Sequence, residues 1–193
     1  MTPAERSVQV SLLDPGTDRV VATMDKLQAH VEGRYHAAIS VLLHSPDGGQ
    51  LIQQRAVAKY HGGGLWSNAC CSHPLPGESA AAAAQRRLHE EMGITTPLTP
   101  VGVVRYRAEV PVAGGGFLIE HERVEIFAGV YDGPVDPDPA EVAQTRWLPP
   151  GHVPGGPDVR LTPWFRLYTE IIDARPGRLP RAPVDYGYFD LSC

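Results

Sequence analysis

Short runs of apolar residues, most of them closed by a turn signal, set the hydrophobic pattern of this 193-residue chain. Residues 8–13 read as an opening strand and 22–30 as a short helix or turn. The β-rich apolar run 37–43 is followed by Pro46-Asp47-Gly48-Gly49 and then by 51–54, which predicts a hairpin. Beyond Gly62-Gly63-Gly64, residues 79–92 form the clearest helix, with five consecutive alanines and Gly93 as its stop. Residues 101–108 and 118–131 alternate as strands do, and Ala113-Gly114-Gly115-Gly116 separates them as a turn. A short strand is expected over 145–148. Trp164, Leu167, Tyr168 and Ile171 fall at helical spacing, so a helix should start at Thr162-Pro163 and run to about Ala174. The tail that follows is rich in proline and tyrosine and predicts no element. With no internal repeat and no linker, the pattern describes one mixed α/β (α+β) domain over residues 1–175, with 176–193 as an extension of unassigned structure.

Composition narrows the function classes. With 42% apolar and 20% charged residues, the chain can bury one good core but not two. No apolar run approaches the ~20 residues needed to span a bilayer, and no secretion signal is visible, so a cytoplasmic protein without a membrane partner is expected. A formal net charge of −5 argues against nucleic acid as a partner. The cysteines are Cys70, Cys71 and Cys193. Adjacent Cα atoms are about 3.8 Å apart, too close for a usual disulfide between Cys70 and Cys71. A special cysteine in a reducing compartment is more often catalytic than structural.

The chemistry clusters in Trp66-Ser67-Asn68-Ala69-Cys70-Cys71-Ser72-His73-Pro74 and in the charged helix behind it. Glu78, Arg86, Arg87, Leu88, Glu90, Glu91, Gly93 and Ile94 fall at the offsets of the Nudix box, and here the chain resembles the Nudix superfamily. In that box a loop and a helix present carboxylates to a divalent metal bound to diphosphate. Two positions depart from it: Ser72 stands where the first glycine is expected, and Arg87 where hydrolases place a metal-binding glutamate. A guanidinium cannot coordinate Mg²⁺ or act as a base near neutral pH, but it can donate a bidentate hydrogen-bond pair to phosphate. Diphosphate binding is kept, while metal-activated attack by water loses its support.

Arg87, the Cys71-Ser72-His73-Pro74 run and Glu120-His121-Glu122 together resemble type 1 isopentenyl-diphosphate isomerases, over about residues 26–174. The resemblance implies a Nudix-type mixed β-sheet core packed between helices, and an enzyme that interconverts isopentenyl and dimethylallyl diphosphates by protonation and deprotonation. It implies a metal site of His30, His36, His73, Glu120 and Glu122, holding Zn²⁺, Mn²⁺ or Mg²⁺. Those residue types suit such ions, and strand alternation puts Glu120 and Glu122 on one side. Cys71 and Glu122 resemble the opposed acid and base, Trp164 the aromatic face for the cationic carbon, and Tyr106 the tyrosine beside them. Lys26, Arg55, Lys59 and Arg87 correspond to the diphosphate contacts, and Glu91 to the holder of a bridging Mg²⁺. Cys70 is expected to pack inertly, and Trp66 to line the pocket wall only.

The partner is then a small prenyl diphosphate, and the protein a monomer or homodimer. Three features depart from the family pattern: His30 and His36 are one residue closer than expected, Gly62-Gly63-Gly64 replaces a segment with proline, and Glu122-Arg123-Val124-Glu125 is unusual in its charges; the tail after Ala174 is unexplained. They leave open a paralogue for a longer prenyl substrate, such as a protonation-initiated cyclase, whose pocket is reshaped near Gly62 and the tail. A Nudix diphosphate hydrolase is disfavoured by Arg87, and a noncatalytic binding module by the full set of Cys71, Tyr106, Glu122 and Trp164.

Overall fold

Strand β1 (Gln9–Leu13) forms where the sequence predicts it and pairs antiparallel with β2 (Val20–Asp25). The second strand corrects the expectation of a helix or turn over 22–30. Val20, Val21 and Thr23 are β-branched and favour extended backbone. Helix α1 (Lys26–Glu32) begins only after Asp25, whose carboxylate accepts from the Gln28 N–H at 3.1 Å. These features come from a computed structural model that describes residues 8–112, 115–152, 155, 159–172, 178, 180 and 182–191. The first half of the expected 113–116 turn, the expected helix end at Ala174, and Cys193 lie outside the described residues.

The hairpin of β3 (His36–His44) and β4 (Gln50–Arg55) is present but short. Only Leu43 with Leu51 and His44 with Gln50 pair across it. Past them β4 diverges to join β5 (Trp66–Asn68) and, later in the chain, β9 (Val142–Leu148), and β6 (Cys70–Ser72) takes the vacated edge of β3. That exchange sets Cys71 opposite Ser40.

Helix α2 (Ala80–Met92) is capped by Ser79, whose hydroxyl accepts from the Ala82 N–H at 3.2 Å, and ends at Gly93 in the left-handed conformation. The long strand β7 (Thr99–Pro111) extends further than the alternation suggested, and β8 (Phe117–Val130) matches its expected span to within one residue at each end. Helix α3 (Pro163–Ile171) and strand β10 (Val184–Asp190) complete the elements. The main sheet runs β10-β7-β8-β3-β1-β2. Its strands β3 and β8 are parallel, with His36 opposite Glu122, while β7 is antiparallel to β8, with Tyr106 opposite Glu122. Register alone therefore gathers His36, Glu122 and Tyr106 in adjacent positions.

Side-chain alternation sends the two faces of this sheet to different helices. Ala83, Ala84, Leu88 and Met92 of α2 bury with Ile39, Val41 and Phe127; Phe165, Leu167 and Tyr168 of α3 bury with Val104, Val124 and Ile126. The sheet lies between helices, as expected. The tail supplies β10, parallel to β7. Gly102 permits the approach: a Cβ there would lie 2.3 Å from the Tyr186 ring and 2.7 Å from the Val184 carbonyl. Among the described residues no helix is long and apolar enough to cross a membrane.

Candidate active site

A cavity of about 300 Å³ opens between the sheet, α3 and the N-terminal half of the chain. Lys26, Arg55, Lys59, Arg87, Glu91, Cys71, His73, Tyr106, Glu120, Glu122 and Trp164 line it, so every predicted site residue reaches it except His30 and His36. Those two are fully buried beside it. Trp66 corrects an expectation: it does not line the cavity but is buried with the Arg146 guanidinium 4.8 Å from its ring centroid. Cys70 is buried against α2, on the face opposite Cys71.

His30, His36, His73, Glu120 and Glu122 each direct one donor atom into a cluster whose members all lie within 4.8 Å of one another. The six-residue spacing of the first two histidines is accommodated because α1 ends at Glu32 and β3 starts at His36 itself. His30 Nδ1 lies 2.5 Å from the Lys26 carbonyl and His36 Nδ1 2.7 Å from the Arg34 carbonyl. A carbonyl only accepts, so both rings carry a proton on Nδ1, and a neutral ring then presents a lone pair from Nε2. The His36 lone pair faces His73 Nε2 at 3.2 Å and Glu122 Oε1 at 3.4 Å; that of His30 faces Glu120 Oε2 at 3.1 Å. Acceptors pointed at acceptors in a buried place call for a cation at their centre, and these N and O donors fit a divalent one.

The electrostatics of the pair of carboxylates differ. Burial pushes Glu120 up, but His30 and His61 outweigh it and hold Glu120 well below the ordinary carboxylate range. Burial and the charge of Glu120 raise Glu122, against the opposing pull of His36. Glu122 has a close neighbour at each oxygen: His73 Nε2 is 2.9 Å from Oε1, and the Tyr106 hydroxyl donates to Oε2 at 2.5 Å. Burial and the nearby carboxylate push the Tyr106 phenol well above its usual value, so it stays a donor.

Cys71 sits half-buried on the cavity wall. Its thiol donates to Asn68 Oδ1 at 3.0 Å and lies 3.0 Å from the Ser40 hydroxyl, which in turn donates to the Tyr168 hydroxyl at 3.0 Å. The Asn68 amide cannot turn, because its nitrogen donates to the Val41 and Cys70 carbonyls, both at 2.9 Å. Burial pushes the thiol up to about 12, so it is protonated at neutral pH. Trp164 is fixed by its indole N–H, which donates to the Ser67 hydroxyl at 2.9 Å.

The cationic end is formed by Lys26, Arg55, Lys59 and Arg87. Arg87 contacts Glu90 and Glu91 at 2.7 Å and Glu141 at 3.2 Å, and Lys59 pairs with Glu141. Burial and the charge of Lys59 lower Lys26. Arg55 Nε and Arg87 Nε are buried without a hydrogen-bond partner among the described residues, donors suited to an anion. Sequence reasoning missed His61, Glu141, Ser40 and Tyr168, all on the cavity wall. A lone histidine before a glycine run and a carboxylate in a polar loop carry no local signal of what they face.

Comparison with known proteins agrees with this geometry. The NUDIX domain family matches residues 34–166. A protein of Burkholderia multivorans named isopentenyl-diphosphate Delta-isomerase is 49% identical over 131 residues, covering 68% of this chain and 72% of its own length. A protein of the same name from Nocardia farcinica is 43% identical over 169 residues, covering 86% of this chain and 94% of its own. Among solved structures, one from Deinococcus radiodurans superposes with a TM-score of 0.67 at 14% identity, covering 84% of this chain and 98% of that one. A MutT NUDIX hydrolase of Burkholderia pseudomallei does so with 0.53 at 21%, covering 70% and 96%. At such identities these two speak to the fold alone. With a domain match across most of its length and relatives this similar over 72% and 94% of theirs, the chain belongs to the NUDIX family and, within it, to the isopentenyl-diphosphate Delta-isomerases.

Proposed function

We propose that this chain interconverts isopentenyl and dimethylallyl diphosphates, with Cys71 and Glu122 as the paired acid and base. The observation that carries the reading is the meeting, in one cavity, of a protonated thiol, a carboxylate held by Tyr106, and a cluster of cations. In one direction the Cys71 S–H bond breaks and its proton joins the terminal alkene carbon. Positive charge develops on the tertiary carbon, where the face of Trp164 can stabilise it without reacting. Glu122 then takes a proton from the neighbouring carbon, and the double bond forms one position along. The Ser40 hydroxyl, turning from Tyr168, can donate to the thiolate left behind. One proton enters and one leaves, so the skeleton is unchanged; exchange with solvent resets the thiol and the carboxylate.

A divalent ion held by His30, His36, His73, Glu120 and Glu122 would supply the positive charge that two buried carboxylates require; Zn²⁺, Mn²⁺ and Mg²⁺ all suit the donors. Glu91 is proposed to hold a Mg²⁺ that accompanies the diphosphate, with Lys26, Arg55, Lys59 and Arg87 gripping its oxygens. Residues 1–175 are proposed as the isomerase domain and 176–193 as an extension that adds β10 to its sheet. The cavity suits a small substrate: 300 Å³ is at the low end for ligand pockets, and no described residue after Tyr168 lines it. The described residues of the tail thus contribute nothing to the cavity wall, which favours the small substrate over a longer chain.

The test is incubation with isopentenyl diphosphate and Mg²⁺ while dimethylallyl diphosphate and phosphate are followed together. Formation of the isomer without phosphate is expected. Phosphate release without isomer would refute the reading.

A further inference from the structure

Glu120 has a second partner outside the five-donor cluster. Its Oε2 faces His30, but its Oε1 lies 2.6 Å from His61 Nε2. The His61 ring is 6% exposed, and its Nδ1 is buried without a hydrogen-bond partner among the described residues. A neutral imidazole carries one proton. Placed on Nδ1, that proton would leave a buried N–H orphaned and set two acceptors against each other at 2.6 Å. On Nε2 it satisfies the carboxylate and leaves only a lone pair unpaired, so Nε2 is the donor.

The backbone holds the ring in place. His61 forms a β-bridge with Val112, the Gly62 N–H donates to the Pro111 carbonyl at 3.4 Å, and the His61 carbonyl accepts from Arg55 Nη2 at 3.3 Å. Gly62 makes this possible with φ of +60°, a left-handed backbone that glycine adopts without strain. One residue thus touches the carboxylate at the metal-binding end through its side chain, and an arginine of the cationic end through its backbone.

We infer that His61 is a positioning residue: by donating to Oε1 it commits that oxygen and leaves Glu120 only Oε2 to offer a divalent ion. The inference rests on the five-donor cluster being the metal site. Hydrogen bonds to ligating groups of this kind typically carry ~10–100-fold in metal affinity.

The test uses the full chain stripped of metal and titrated with Mn²⁺, the unbound ion being read by electron paramagnetic resonance. Five proteins are compared: wild type, His61→Phe, His61→Ala, His61→Gln and His73→Ala, with thermal unfolding as a check on folding. His61→Phe fills the space without a donor and should raise the Mn²⁺ dissociation constant about 10–100-fold. His61→Ala should do the same, and His61→Gln, whose amide can donate, should recover most of the loss. Unchanged Mn²⁺ affinity in folded His61→Phe or His61→Ala overturns the inference, as does a folded His61→Gln that binds as weakly as His61→Phe. If wild type binds no Mn²⁺, or His73→Ala binds it as wild type does, the metal-site reading itself fails, which is a distinct result.

Discussion

Replacing Tyr106 with phenylalanine removes one oxygen from the centre of the site and nothing else. The lost bond is a buried one to a carboxylate, at 2.5 Å, of the class worth about 1.5–3 kcal/mol. Since a pKa unit corresponds to about 1.4 kcal/mol, removing a donor of that strength from the carboxylate should raise Glu122 by about 1–2 units. Burial and Glu120 already raise this group, so the change adds to an existing displacement. Glu122 must be ionised to accept a proton. A higher pKa means that activity is lost at higher pH on the acid side, so the acid limb of kcat against pH should move upward by about 1–2 units. The assay is dimethylallyl diphosphate formation at saturating substrate and Mg²⁺ from pH 5 upward, with thermal unfolding alongside. Stability should fall too, by about 1–3 kcal/mol, because the buried Oε2 loses its donor. A profile superimposable on wild type would refute the role given to this hydrogen bond.

Three further outcomes follow from the same geometry. With its thiol pushed up to about 12, Cys71 should react with iodoacetamide at pH 8 about 30–60-fold more slowly than a free thiol, the smaller thiolate fraction being partly offset by greater nucleophilicity, as measured by peptide mass spectrometry; labelling at the free-thiol rate would contradict the assignment. Glu141 is pushed up by burial but pulled down to about 2 by Lys59 and Arg87, so its pairing stabilises the fold above pH 4.5 and is lost as pH falls toward 2; Glu141→Gln should be less stable than wild type at pH 7 and lose less on acidification, as followed by urea unfolding. Gly102→Ala should lower the melting temperature by a few degrees through the clash with Tyr186 and Val184, yet leave kcat near wild type, because no described residue of β10 lines the cavity.

What could be read from the sequence was local or came in motifs. The helix at 79–92 carried its cap, its alanines and its glycine stop, and the Nudix box carried fixed offsets. Resemblance named the five clustered donors, and β-strand register explains why they meet: His36, Glu122 and Tyr106 are neighbours across three strands. Long-range pairing was not legible. Nothing in 20–25 says that β1 is available as a partner, and without it Val20 and Val21, both exposed, give no amphipathic signal. Strand β10 has the same difficulty, being mostly exposed and paired with residues some eighty positions earlier. His61 faces Glu120 only because a β-bridge to Val112 turns its loop inward. Trp66 has the composition of a pocket residue, but β5 directs it to Arg146 instead.

The central claim is that one proton comes from Cys71 and another leaves to Glu122. Incubation of isopentenyl diphosphate with Mg²⁺ in D₂O, for wild type, Cys71→Ala and Glu122→Gln, tests it most directly. Wild type should form dimethylallyl diphosphate with deuterium in a methyl group, and each variant should lose turnover by at least about 100-fold, the scale of a positioned acid or base. Full activity and full deuterium uptake in either folded variant would contradict the account.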